Sequence, residues 1–146
     1  MTVVAEILKS KPDGLVHSIR PTASVLEALQ SMADLHIGAL LVMEGSTIVG
    51  IVTERDYARK IALMGRTSVA TLVRDVMTTA VMYVQPTQTS EECMALMTEN
   101  RLRHLPVVED DALVGMISIG DLVKDIISEQ KFIIEQMKHY ITGRNS

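Results

Sequence analysis

Thr53 and Asp56 stand three residues apart, and Ser118 and Asp121 repeat the arrangement 65 residues later. The pairs close two matching stretches, Gly50-Ile51-Val52-Thr53-Glu54-Arg55-Asp56 and Gly115-Met116-Ile117-Ser118-Ile119-Gly120-Asp121. A carboxylate can accept from two neighbouring hydroxyls at once, such as those of a ribose. Charge-assisted bonds of this kind are stronger than neutral ones. A Thr or Ser hydroxyl at the change from strand to helix can cap the helix or donate to a phosphate. The helix start adds free N–H groups and a partial positive charge, which favour an anion. The plainer chemistry of the same spacing is capping, with the hydroxyl as N-cap and the aspartate placed in the first turn for the dipole.

The elements that must position these residues follow from the same offset. Pro21 meets Pro86, Glu27 meets Glu92, Met32 meets Met97 and Val42 meets Val107 without a gap. A fixed period of this kind defines the folding unit. Val16 to Ile19 alternates as a short strand. Ser24-x-x-Glu27 and Thr89-x-x-Glu92 read as capping boxes. Behind them Val25, Ala28, Leu29 and Met32, then Cys93, Met94 and Met97, fall at helical spacing. Gly38 is expected to end the first helix region. Ala39–Met43 and Ile48–Val52 read as a hairpin about Glu44-Gly45-Ser46, followed by a helix from about Glu54 to Met64. The second copy reads likewise: Leu105–Val108, a turn at Glu109-Asp110-Asp111, Leu113–Ile117, then a helix from about Gly120.

Val3–Leu8 reads as a short amphipathic helix, with a polar break at Lys9–Gly14 containing Pro12 and Gly14. Residues 66–75 join the copies, and Val76-Met77-Thr78 leads into the strand of the second. Apolar residues continue along the last helix at Ile126, Ile127, Ile133, Ile134, Met137, Tyr140 and Ile141, with Gly143 as its expected stop. The division is 1–14 helix and linker, 15–65 first repeat, 66–75 linker, 76–128 second repeat and 129–146 helical extension.

Composition narrows the function. The chain has 146 residues, 47% of them hydrophobic, a net charge of -4 and 3% aromatic residues with no Trp. An acidic chain with so few aromatic residues argues against a nucleic-acid binder. No run approaches ~18 apolar residues, so no membrane span is expected. Cys93 is the single cysteine and suits a reducing compartment, so the chain reads as cytoplasmic. It aligns with Ala28 on a buried helix face, which makes it core rather than nucleophile. His17, His36, His104 and His139 lack zinc-like spacing, so no metal site is expected. The ten methionines read mostly as helical core. No pairing of base and nucleophile suggests an enzyme.

With its paired G-h-h-[ST]-x-x-D motifs, the h-x-P before each helix, and Arg103-His104-Leu105-Pro106-Val107-Val108, the chain resembles a tandem pair of CBS domains, a Bateman module. It is similar to the small stand-alone CBS-pair proteins. The resemblance covers roughly Val16 to Ser128. It implies an α/β fold with α+β layers. Two strand-helix-strand-strand-helix repeats would pack with pseudo-two-fold symmetry, followed by a long C-terminal helix. It implies a regulatory, signal-transducing role, with adenine-containing ligands such as AMP, ADP, ATP or NAD bound between repeats, and no catalytic cofactor.

By the resemblance, each motif faces the strand starts of the other repeat. The first cleft would unite Thr53, Arg55, Asp56, Thr78 and Val81 with Leu102, Arg103 and His104. The second would unite Ser118, Gly120 and Asp121 with His17, Ile37, Gly38 and Ala39. The first is cationic and suits phosphates, whereas the second is nearly neutral and roomier. The resemblance and the long apolar stripe together imply a homodimer, with an unidentified regulated protein as a further partner. The alternative is a non-catalytic dimeric scaffold whose ligand clefts are vestigial.

Overall fold

A computed structural model describes residues 2–11 and 16–145, with side chains to residue 141. In chain order the elements are α1 (Val4–Ser10), β1 (Ser18–Ile19), α2 (Val25–Leu35), β2 (Ala39–Glu44), β3 (Thr47–Thr53), α3 (Glu54–Tyr57), α4 (Ser90–Asn100), β4 (His104–Glu109), β5 (Ala112–Ser118) and α5 (Ile119–Asn145). This is the expected mixed α and β class with a long last helix. The expected break at Pro12 and Gly14 lies outside the described residues. The chain divides into two compact units, the first of residues 15–82 and the second of residues 1–14 with 83–146.

In the first unit, Ser24 Oγ accepts from the Glu27 N–H at 3.1 Å and starts α2, which buries Val25, Ala28 and Met32. The helix ends at His36, left-handed at φ 56°, two residues before the expected Gly38. Arg101 does the same after α4, at φ 55°. A left-handed residue here is usually glycine, which is why Gly38 attracted the sequence reading. β2 then runs antiparallel to β3, with Val42 opposite Gly50 and a bulge after Val42. β1 adds a parallel edge through Ser18 opposite Leu41 and Ile19 opposite Val42, shorter than the expected Val16–Ile19. After β3 the helix is not uniform to Met64, because α3 gives way to one wider π-helical turn over Ala58–Ala62.

The second unit repeats this register. β4 and β5 pair with Val107 opposite Gly115 and a bulge after Val107. The counterpart of β1 shrinks to one parallel bridge, Val84 to Val107. Thr89 and Glu92 close a reciprocal capping box at α4, which buries Cys93 and Met97 on its inner face. Gly143 does not stop α5, which continues to Asn145. The methionines divide more than expected: Met32 and Met97 are buried, whereas Met64 and Met137 are exposed.

Each unit is completed by a segment from outside its own repeat. Leu72 bridges Ser24, and Val3 bridges Thr89. The Thr71 carbonyl accepts from the Val25 N–H at 2.9 Å, and the Thr2 carbonyl from the Ser90 N–H at 2.9 Å. Thr71-Leu72-Val73-Arg74-Asp75-Val76-Met77 thus matches Thr2-Val3-Val4-Ala5-Glu6-Ile7-Leu8, a second repeat at an offset of 69. Val73 and Val76 are buried in the first unit, as Val4 and Ile7 are in the second. The connecting residues 66–75 are therefore partly core. Burying an aliphatic side chain contributes about 1.5–3 kcal/mol, enough to hold these short segments in place.

Candidate functional site

The first motif sits where β3 turns into α3. Thr53 donates its N–H (3.0 Å) and its hydroxyl (3.2 Å) to Asp56 Oδ2, and Thr53 Oγ1 accepts from the Asp56 N–H at 3.1 Å. Asp56 Oδ1 takes the Lys60 ammonium at 3.2 Å and the Thr78 hydroxyl at 3.5 Å. The lysine also donates to the Val76 carbonyl at 2.7 Å. Asp56 is only 8% exposed.

The second motif has the same frame. The Ser118 N–H donates to Asp121 Oδ2 at 2.8 Å, and Ser118 Oγ accepts from the Asp121 N–H at 3.1 Å. Its lysine is Lys11, which meets Asp121 Oδ2 at 2.9 Å and donates to the Met116 carbonyl at 2.8 Å. Burial acts most strongly on this carboxyl and pushes its pKa up. The Ser118 N–H and the Lys11 ammonium together outweigh burial and hold Asp121 below the ordinary aspartate value.

His104 lies opposite Ser118 in the β4–β5 register. Burial lowers its pKa. Asp121 pulls it back up, and Lys11 and Arg103 add to the lowering. The Asp121 carboxylate and the Lys11 and Arg103 cations thus all act on His104, whose own burial favours the neutral imidazole. Nearby, the Arg103 carbonyl accepts from the Ile119 N–H at 2.9 Å. In the first unit the Gly38 carbonyl accepts from the Glu54 N–H at 3.1 Å, and Ala39 lies opposite Thr53.

The residues assigned to the first cleft fall in both units. Thr53, Arg55, Asp56, Thr78 and Val81 belong to the first, and Leu102, Arg103 and His104 to the second. Likewise His17, Ile37, Gly38 and Ala39 belong to the first unit, and Ser118, Gly120 and Asp121 to the second. Asp56 and Thr78 meet directly. Arg55, Arg103 and Gly120 are exposed, and Val81 and Leu102 half-buried. A Cβ on Gly120 would lie 3.6 Å from Ser118 Oγ, an ordinary contact. The lysines escaped the sequence reading. Lys60 carried a signal, since it stands one helical turn after Asp56. Lys11 carried none, being 110 residues from its partner.

Among the described residues, no three His, Cys, Asp or Glu side chains gather to hold a metal ion. None of the described helices is long and apolar enough to cross a membrane. Cys93 is buried, and burial, with Glu92 beside it, pushes its pKa up. A thiol held protonated in this way is a poor nucleophile.

The CBS-domain family model matches residues 4–63 and 73–128. The chain is 38% identical over 150 residues to the CBS domain-containing protein CBSX3, mitochondrial, of Arabidopsis thaliana, covering 97% of this chain and 73% of that protein. A solved structure from Burkholderia ambifaria MC40-6, described as a candidate signal-transduction protein with CBS domains, is 54% identical. It superposes with a TM-score of 0.86 over 88% of this chain and 96% of that one. A hexameric CBS-CP12 protein from bloom-forming cyanobacteria is 28% identical with a TM-score of 0.74, over 84% of this chain and 66% of that one. The two matched repeats take in most of the sequence, so the chain belongs to the CBS-domain family and is a tandem pair of its repeats.

Proposed function

We propose that this tandem CBS pair is a non-catalytic regulatory module that binds an adenine-containing ligand, AMP, ADP, ATP or NAD, and works as a homodimer in the cytoplasm. The observation that carries the reading is the duplicated carboxylate. A helix cap needs no sequestered charge, and α2 and α4 are capped at the surface by Ser24 with Glu27 and by Thr89 with Glu92. At the two motif helices the acid is instead an aspartate, buried at Asp56 and half-buried at Asp121, each met by a lysine. Removing charge from water is costly, and spending it twice at matching positions is accounted for by a ligand. In this reading the aspartates accept from ribose hydroxyls. Thr53, Arg55, Arg103 and His104 face phosphate, while Thr78, Val81, Leu102, His17, Ile37, Gly38, Ala39, Ser118 and Gly120 shape the clefts. Binding regulates only through a difference in affinity between two states of the protein.

The scaffold reading has an observation of its own. Both carboxylates have a lysine partner within the protein, which is all that a purely structural role requires. Calorimetry with AMP and NAD on wild type, Asp56→Asn and Asp121→Asn separates the two readings. Each lost charge-assisted bond costs about 1.5–3 kcal/mol, so either variant should bind at least about tenfold more weakly. The cationic first cleft expects the larger loss for Asp56→Asn. A wild-type protein that takes up neither AMP nor NAD favours the scaffold.

A further inference from the structure

The second unit carries an apolar surface whose two edges have opposite charge. Between α4 and α5 runs a groove of about 630 Å³, floored by Met94, Ala95, Ile126 and Ile133, with Glu91 and Glu99 on the α4 side. Next to it along α5, Ile127, Ile134, Met137 and Ile141 are 47%, 50%, 60% and 59% exposed. With Gln130 they alternate in steps of three and four, the spacing of a coiled-coil seam with one polar position to fix register. The seam runs past residue 128, where the match to the family ends. Beyond it, Lys124, Lys131 and Lys138 recur every seven residues and form a row along the far edge. The surface in cross-section is acid, apolar groove, apolar seam, lysine.

We propose that this surface is covered by the same surface of a second copy, with the two α5 helices parallel and in register. The charges select the direction. A two-fold axis along the helices lays each lysine row over the partner's α4 acids. An axis across the helices sets acids on acids and lysines on lysines, which is destabilising. A two-fold contact must be self-complementary, and only the parallel arrangement makes it so. Parallel pairing from Ile127 to Ile141 provides a seam about 21 Å long at 1.5 Å per residue. The proposal rests on the homodimer reading and adds to it the surface used and the orientation.

Light scattering on the full-length protein tests the homodimer, and cysteine cross-linking tests the orientation. Ile127→Cys and Ile141→Cys, each alone, should form disulfide dimers under mild oxidation, with buried Cys93 silent in the wild-type control. A mixture of the two should give no 127-to-141 disulfide on peptide mapping. A dimer with that mixed disulfide, or with no cross-link at either position, overturns the orientation and leaves the homodimer reading standing. A wild-type monomer at micromolar concentration overturns both, including one that instead binds phosphatidylglycerol vesicles. Independently of any cysteine, Lys131→Glu with Lys138→Glu should raise the dimer dissociation constant at least about tenfold. Adding Glu91→Lys and Glu99→Lys should restore it. No weakening, or weakening without rescue, overturns the charge pairing.

Discussion

His104 gives the residue scale a direct pH readout. Its folded pKa lies below the ordinary 6.5 because burial disfavours the imidazolium. Between that lowered value and about 6.5 the unfolded chain binds more protons than the folded one, so stability rises with pH across the window. It should be complete above about 6.5 and fall as the pH drops through it. Asp121 acts in the same direction at lower pH. Its folded pKa lies below the ordinary aspartate value, so its contribution is present above that value and is lost as the pH falls through the folded pKa. Urea melts between pH 7.5 and 5 should show wild type losing more stability than His104→Gln, and parallel curves would refute the assignment. The aspartates and hydroxyls were legible in the sequence because their spacing repeats. The lysines that answer them do not share one register: Lys60 reaches its aspartate from within a helix, and Lys11 from a distant segment.

At the scale of elements, the 65-residue offset is kept down to the bulges after Val42 and Val107 and the left-handed turns at His36 and Arg101. Strand pairing propagates register residue by residue, so a sequence period becomes a structural one. The offset of 69 was not legible. Only Thr2 with Thr71 and Val4 with Val73 are identical among its seven positions; four pairs are conservative exchanges, and Ala5 with Arg74 is not. Its mark in the structure is two glycines. A Cβ on Gly50 would lie 2.7 Å from Met77 Sδ and 3.0 Å from the Thr78 carbonyl, and one on Gly115 would lie 2.6 Å from Leu8 Cδ2. Leu8 can yield by changing rotamer, whereas the Thr78 carbonyl is backbone. Gly50→Ala should therefore cost more than Gly115→Ala, with about 1–3 kcal/mol expected for overpacking. Thermal melts of both variants decide the order.

For the whole molecule, the crossing of terminal and linker segments places remote parts of the chain under each other's control. Ile7→Ala, at 3% exposure, should lose about 2–5 kcal/mol. The damage should appear as lost amide protection in β4 and β5, about a hundred residues away, rather than in the neighbouring β2 and β3. Loss confined to β2 and β3 would contradict the division into units. The crossing also sets a timetable for the chain as it leaves the ribosome. Residues 15–82 are contiguous, so the first unit can close once they have emerged, and domains generally fold in that order during synthesis. The leading segment must meanwhile wait, with Val4 and Ile7 uncovered, until β4, β5 and the start of α5 arrive to receive it. Residues 2–8, made before the first unit, thus find their place after it. A nascent chain stalled before β5 would carry Val4 and Ile7 bare, and that is the species on which a holding chaperone would act.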